Sequence, residues 1–237
     1  EKETAIKEYR KIVAEAWEKD RNLEVLGISG NTFTIEAGGY LVALLDKEKD
    51  KDEIAEINER IAKLRKLPRP ITPIAVPLKN GLTAFDIEDS NAAVAFDADG
   101  SGLNRKWTWI NADAGWLVHD PNGGGKITSA LQMFGNVTFW MFWENGYRAL
   151  SALDDNADGE LRGHELHGLA IWHDRNGDGV CQSGEVKPLA EYGIIALSCR
   201  FETDTRHPDR IAWSPKGVMF KDGTSRPTFD VILKSKN

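Results

Sequence analysis

Two stretches of this chain carry oxygen-bearing side chains at the intervals a hard divalent cation needs. Residues 154–165 read DDNADGELRGHE and residues 174–185 read DRNGDGVCQSGE. A twelve-residue calcium loop takes ligands from positions 1, 3, 5 and 12 and from the carbonyl at 7, with glycine at 6 for a sharp turn. The first stretch supplies Asp154, Asn156, Asp158 and Glu165 with the carbonyl of Glu160, and Gly159 stands at the turn. The second supplies Asp174, Asn176, Asp178 and Glu185 with the carbonyl of Val180, and Gly179 stands at the turn. A metal-free acidic turn asks only for Asp, Asn and Gly. The distal glutamate and the apolar or near-apolar residue at position 8, Leu161 or Cys181, go beyond that. Three carboxylates drawn within a few ångströms repel one another unless a cation or protons compensate them. The expected cofactor is Ca2+, at two strong sites.

Two further segments keep part of the pattern. Asp97, Asp99 and Ser101 occupy positions 1, 3 and 5 with Gly102 at 6, but Thr108 stands at 12. A third, weaker calcium site is expected there, with Asp113 as a borrowed ligand, because affinity follows ligand charge. Asp120, Asn122, Gly125 and Ile127 keep positions 1, 3, 6 and 8 and lose the oxygen at 5, as a metal-free relic would. The run DKEKDKDE at 46–53 has no glycine in its sixth place and reads as a solvated helix start.

Other chemistry is thinner, and no catalytic residue is expected. His164 and His167 are three apart, where a zinc-protease helix needs four, and Glu165 is already used as a calcium ligand. With His173 they belong at the surface or around the ligands. Cys181 and Cys199 make neither a disulfide framework nor a zinc motif; they are free thiols or one disulfide. Phe139, Trp140, Phe142 and Trp143 crowd one short stretch. Such aromatics are buried in a core, or exposed to stack on sugars or grip a protein.

The elements that must hold these loops are short. Net charge is -7, and between Asp97 and Glu185 thirteen acidic residues face six basic ones, so the imbalance sits with the loops. That favours cations and disfavours nucleic acid or anionic membranes as partners. No run of eighteen apolar residues exists, so no membrane span is expected. Ile6, Tyr9, Val13 and Trp17 line one face of a helix over Glu3–Trp17; NLEVLGI and TFTIE flank Ser29, Gly30 and Asn31 as a hairpin would. Ile54, Ile57, Ile61 and Leu64 mark a second helix over Asp52–Leu67, stopped by Pro68 and Pro70. From Ile71 the short runs PIAVPL, LTAFDI and AAVAFD alternate with turns, and further strands are expected at Ile194–Cys199, Gly217–Phe220 and Thr228–Leu233. The fold class expected is α+β: residues 1–69 as a helix, hairpin and helix segment, and 70–237 as a calcium-binding domain.

Residues from about Pro73 to Leu233 resemble the EF-hand-like calcium-binding modules of bacterial secreted proteins, which accompany RTX toxins, adhesins and haemolysin-type repeats. The resemblance runs through PIAVPLKNGL, VAFDADGSG, TWINADAGWLVHDPNGGGKI, LQMFG, NGYRALSALDDNADGE, IWHDRNGDGV, LAEYGI and MFKDGTSRPTFDVIL. Pro77, Lys79, Gln132 and Gly124 depart from it, which touches the Asp120 loop and leaves the strong pair alone. It implies an EF-hand-like fold with short helices, packed with short antiparallel strands. One short helix, Leu166–Trp172, is expected to leave one loop and enter the next, and Ile127 is expected to meet Leu161 in a β contact. It also implies a secreted, periplasmic or cell-surface protein that serves adhesion, assembly or binding of an extracellular protein or glycan. Some of the resembling toxins cut themselves at an Asp-Pro bond upstream of the module when calcium arrives; this chain holds one such dipeptide, Asp120-Pro121.

Overall fold

The computed structural model describes residues 2–20, 33–66, 71–141 and 143–236. The chain divides into two compact units, Glu1–Arg69 and Pro70–Asn237. In the first, helices α1 (Lys2–Asp20), α2 (Phe33–Leu44) and α3 (Lys51–Lys66) pack around Val13, Ala37, Leu41, Leu45, Ile57 and Ile61. Arg10 on α1 grips Glu53 on α3 with two bonds of 2.7 and 2.6 Å. Of the expected hairpin, residues 22–28 lie outside the described residues. Its second arm is wrong, because Phe33–Glu36 open α2. The β-branched Thr34 and Ile35 suggested a strand, but the apolar run continues to Leu44 and is long enough to be buried as a helix, so packing overrides local preference.

The second unit is mostly antiparallel β, which corrects the expected α+β, EF-hand-like class. Its strands are β1 (Ile74–Pro77), β2 (Glu88–Phe96), β3 (Arg105–Ile110), β4 (Ala114–His119), β5 (Glu160–Arg162), β6 (Leu169–Trp172), β7 (Val186–Pro188), β8 (Ile194–Ser198), β9 (Glu202–Thr203), β10 (Ala212–Phe220), β11 (Ser225–Asp230) and β12 (Ser235–Lys236). A nine-stranded sheet runs β5-β8-β10-β11-β1-β4-β6-β7, with β9 on β10, and a three-stranded sheet runs β12-β3-β2. The α-helices described here are two short ones, α4 (Ala84–Ile87) and α5 (Gly146–Ser151). The run LTAFDI, expected as a strand, supplies α4 instead, with Asp86 accepting from the backbone N–H of Thr83 at its start.

The expected helix over Leu166–Trp172 is strand β6. Leu169, Ala170, Ile171 and Trp172 are all buried, between β4 on one side and β7 on the other. A fully apolar run of four fits a central strand as well as a helix, and its sheet neighbours decide. The expected meeting of Ile127 with Leu161 also fails, since Leu161 pairs with Leu197 of β8. Phe96, Trp109, Trp116 and Trp172 form an aromatic cluster of edge-on and tilted rings whose members come from both sheets.

Buried polar contacts fasten α5 to β11. Asp230 accepts from the N–H of Gly146 at 3.0 Å, and the Tyr147 hydroxyl donates to the Thr228 carbonyl at 2.8 Å. Burial raises the Asp230 pKa well above the ordinary carboxylate range. The folded state therefore keeps a proton that the unfolded state releases above about pH 4, so this group's contribution to stability is lost as pH rises. Asp230→Asn keeps an acceptor for Gly146 and removes the ionisation. Urea titrations of metal-free protein between pH 4 and 8 should show a shallower fall in stability for the variant than for the parent.

Candidate metal centre

Each loop hangs from a different kind of support. α5 delivers Asp154, and β5 on β8 holds the far side, where the Cys199 N–H donates to the Gly159 carbonyl at 2.9 Å. The 174–185 loop is the connection of the β6–β7 hairpin; Trp172 pairs with Val186, and the His173 N–H donates to the Glu185 carbonyl at 2.8 Å. Neither loop therefore lies between two α-helices.

Within both loops the same bonds recur at the same positions. The position 1 carboxylate accepts from the amide at position 6, Gly159 to Asp154 at 2.8 Å and Gly179 to Asp174 at 2.9 Å. The position 5 carboxylate accepts from the amide at 7, Glu160 to Asp158 at 2.9 Å and Val180 to Asp178 at 2.8 Å. Glutamate at position 12 bridges positions 2 and 9: Glu165 accepts from Asp155 and Arg162, and Glu185 from Arg175 and Gln182. Glu165 and Glu185 are 7% and 3% exposed, unusual burial for glutamates. Both turn glycines have left-handed backbones, φ 86° at Gly159 and 72° at Gly179, where a Cβ would be strained.

The weaker segments share only the first half of this pattern. Gly102 N donates to Asp97 at 3.1 Å, Ser101 N to Asp99 at 3.1 Å and Leu103 N to the Ser101 hydroxyl at 3.4 Å. Nothing closes that loop at position 12, because Thr108 accepts from the Lys234 amide instead. Arg105 also takes Asp99 at 3.1 Å. Asp113 is not its borrowed ligand; it lies beyond the opposite end of β3, paired with Lys79 at 2.5 Å. In the Asp120 segment both carboxylate oxygens accept backbone amides, Gly124 at 3.0 Å and Gly125 at 2.9 Å. All four segments thus close the position 1 carboxylate on the amide at position 6.

Among the described residues no three His, Cys, Asp or Glu side chains already converge as a closed metal cage. The carboxylates are turned onto loop amides, which compensate their charge. The donor set still suits a hard cation: three carboxylates, one side-chain amide and one carbonyl in each strong loop, with no soft ligand among them. Cys181 donates to the Gly125 carbonyl at 3.2 Å, and burial pushes the Cys199 thiol up to about 12, so neither offers a thiolate. Both cysteines are free. His164 and His167 are exposed, and the His173 ring meets the Ala112 carbonyl at 2.8 Å.

The pattern alone gave no sign of two indoles that reach the second loop. Trp109 Nε1 donates to Asp174 Oδ2 at 2.8 Å, and Trp172 Nε1 donates to Glu185 Oε2 at 3.4 Å. Asp174 is 3% exposed, and burial raises its pKa. An open cleft of about 530 Å³ separates Arg175–Asp178 from the β2–β3 hairpin. Trp140 is 71% exposed, Phe139 and Trp143 are half-buried, and Phe142 lies outside the described residues. Phe139 and Trp140 both have left-handed φ, 58° and 62°.

Antiparallel sheets carrying these loops are accompanied by a family match: the SPM domain profile fits residues 78–234, more than half of the chain, and the chain belongs to the SPM domain family. A relative is the iron-regulated protein FrpA of Neisseria meningitidis serogroup C, 31% identical over 153 residues. The match covers 62% of this chain and 14% of that protein, so the chain spans a small part of the relative's length. Among the described residues no helix is long and apolar enough to cross a membrane.

Proposed function

We propose that residues 70–237 form a calcium-binding module of an exported bacterial protein, in which two Ca2+ ions stabilise the fold and present it for adhesion, assembly or partner binding. The observation that carries this reading is the repeated bond pattern, above all Glu165 and Glu185, each buried and each joining positions 2 and 9 of its loop. Asp154, Asn156, Asp158, the Glu160 carbonyl and Glu165 would hold one ion. Asp174, Asn176, Asp178, the Val180 carbonyl and Glu185 would hold the other. Each ion would supply positive charge that cross-links the ends of its loop. The stabilising role fits the supports, because a strand-bound loop has no pair of helices to swing open. Calorimetric titration of metal-free protein tests it: two binding events are expected, and no heat of binding at millimolar calcium would sink it.

Asp97, Asp99 and Ser101 form at most a weaker third site, since position 12 is absent and Arg105 already compensates Asp99. A second reading, calcium-triggered self-cleavage at an Asp-Pro bond, is suggested by the resemblance to self-cutting modules and by the dipeptide Asp120-Pro121. Asp120 would attack its own carbonyl to form an anhydride, releasing the Pro121 nitrogen. The Asp120 carbonyl accepts from Gly123 N at 3.1 Å, but both carboxylate oxygens are held by amides, which suits a turn better than a nucleophile. Incubation with calcium followed by a denaturing gel separates the two, since only self-cleavage yields a fragment ending at Asp120. The exposed Trp140 supports glycan stacking as a further role for the module; quenching of tryptophan fluorescence by oligosaccharides would reveal it.

A further inference from the structure

The second loop differs from the first in what reaches it from outside. Among the described residues no indole is bonded to Asp154 or Glu165, whereas Asp174 and Glu185 each receive one. Trp109 belongs to the three-stranded sheet, and the loop it touches is carried by the nine-stranded sheet. Its ring is edge-on to Trp116 at 5.1 Å and to Trp172 at 5.8 Å, so packing fixes where its N–H points. Two more contacts join the same parts. The His173 ring meets the Ala112 carbonyl, and a Cβ at Gly179 would lie 2.4 Å from Val94 Cγ1 on β2.

We propose that Trp109 is a positioning residue for the calcium site of the second loop, and that ion binding there tightens the hold between the two sheets. The inference rests on the calcium reading given above. Asp174 Oδ2 accepts from both Gly179 N and Trp109 Nε1, while Oδ1 accepts only loop amides at 2.9 and 3.3 Å. The indole therefore pins one oxygen and sets the direction of the other. It also compensates part of a buried charge before the ion arrives, which keeps the metal-free loop ordered among three mutually repelling carboxylates. Without the indole N–H, the metal-free loop opens, and each binding event must first order it. Because coupling is reciprocal, an ion that favours the ordered loop also favours the Trp109 contact and the docked sheet.

The test is Trp109→Phe, which keeps an aromatic ring in the cluster, smaller than the indole, and removes the donor. Calorimetric titration of the whole chain is expected to show the second-loop event weakened about tenfold, the scale of one hydrogen bond to a charged group, with the first-loop event unchanged. Glu165→Gln and Glu185→Gln assign the two events to their loops. The parent protein provides an independent measurement, because the Trp109 indole N–H can be followed by NMR. Its exchange with solvent should slow on adding calcium, in the parent and in Glu165→Gln but not in Glu185→Gln. An unchanged or tightened second-loop event in Trp109→Phe, an equal loss at both loops, or indole exchange indifferent to calcium would overturn the proposal while leaving calcium binding intact. A parent that binds no calcium would overturn both.

Discussion

Removing calcium with a chelator should lower the melting temperature of the second unit by about 10–20 °C, since two sites at about 100-fold saturation contribute roughly 2.7 kcal/mol each and a unit of this size shifts by about 2–4 °C per kcal/mol. On the proposed reading the ions would act on the folded state, because the loops exist as rings only there. Calcium should restore the transition, and magnesium should restore it poorly, because it demands a smaller octahedral shell and gives up its water reluctantly. Differential scanning calorimetry in chelator, calcium and magnesium reads all three arms. A melting curve indifferent to the chelator would remove the stabilising role.

Glu185→Gln should be the most damaging single change in either loop. Both of its oxygens accept amides, from Arg175 and Gln182, and a glutamine can offer an acceptor to only one of them. The other amide is left facing an NH2 group in a site that is almost fully buried, which costs about 1–3 kcal/mol before any loss of metal binding. Glu165→Gln has the same logic in a loop whose first carboxylate, Asp154, is more open to water than Asp174, so its effect should be smaller. Each variant should lose one binding event in calorimetry and leave the other. Asp120→Asn should lose neither, because its loop lacks the oxygen at position 5.

The two acidic loops stood out in the sequence because the same side-chain types recur at the same intervals, and the structure repeats the same amide-to-carboxylate bonds in both. What carries the loops was not legible. Leu169–Trp172 is equally good as a short buried helix or a central strand, and its pairing with β4 and β7 separates them. The expectation of a helix between the loops came from the twenty-residue spacing of Asp154 and Asp174 and failed on the same residues. Trp109 was also out of reach, since it lies sixty-five positions from Asp174 and meets it only through the packing of two sheets. By contrast, helix α3 was found almost to the residue, because Ile54, Ile57, Ile61 and Leu64 repeat at the helical interval within one local stretch.

The β6–β7 connection has a bearing on how the chain reaches its fold. A hairpin usually closes through two to five residues, and one whose connection spans residues 173–185 must find its register across a longer and floppier link. Strand β6 is central, flanked by β4 and β7, so delay there holds up the edge of the large sheet. On the proposed calcium reading, an ion gathered by Asp174, Asp178 and Glu185 would draw the two strand ends together and turn a long connection into a short one. Refolding in calcium should therefore be faster than in chelator, with the gain seen in the folding limb as well as in slower unfolding.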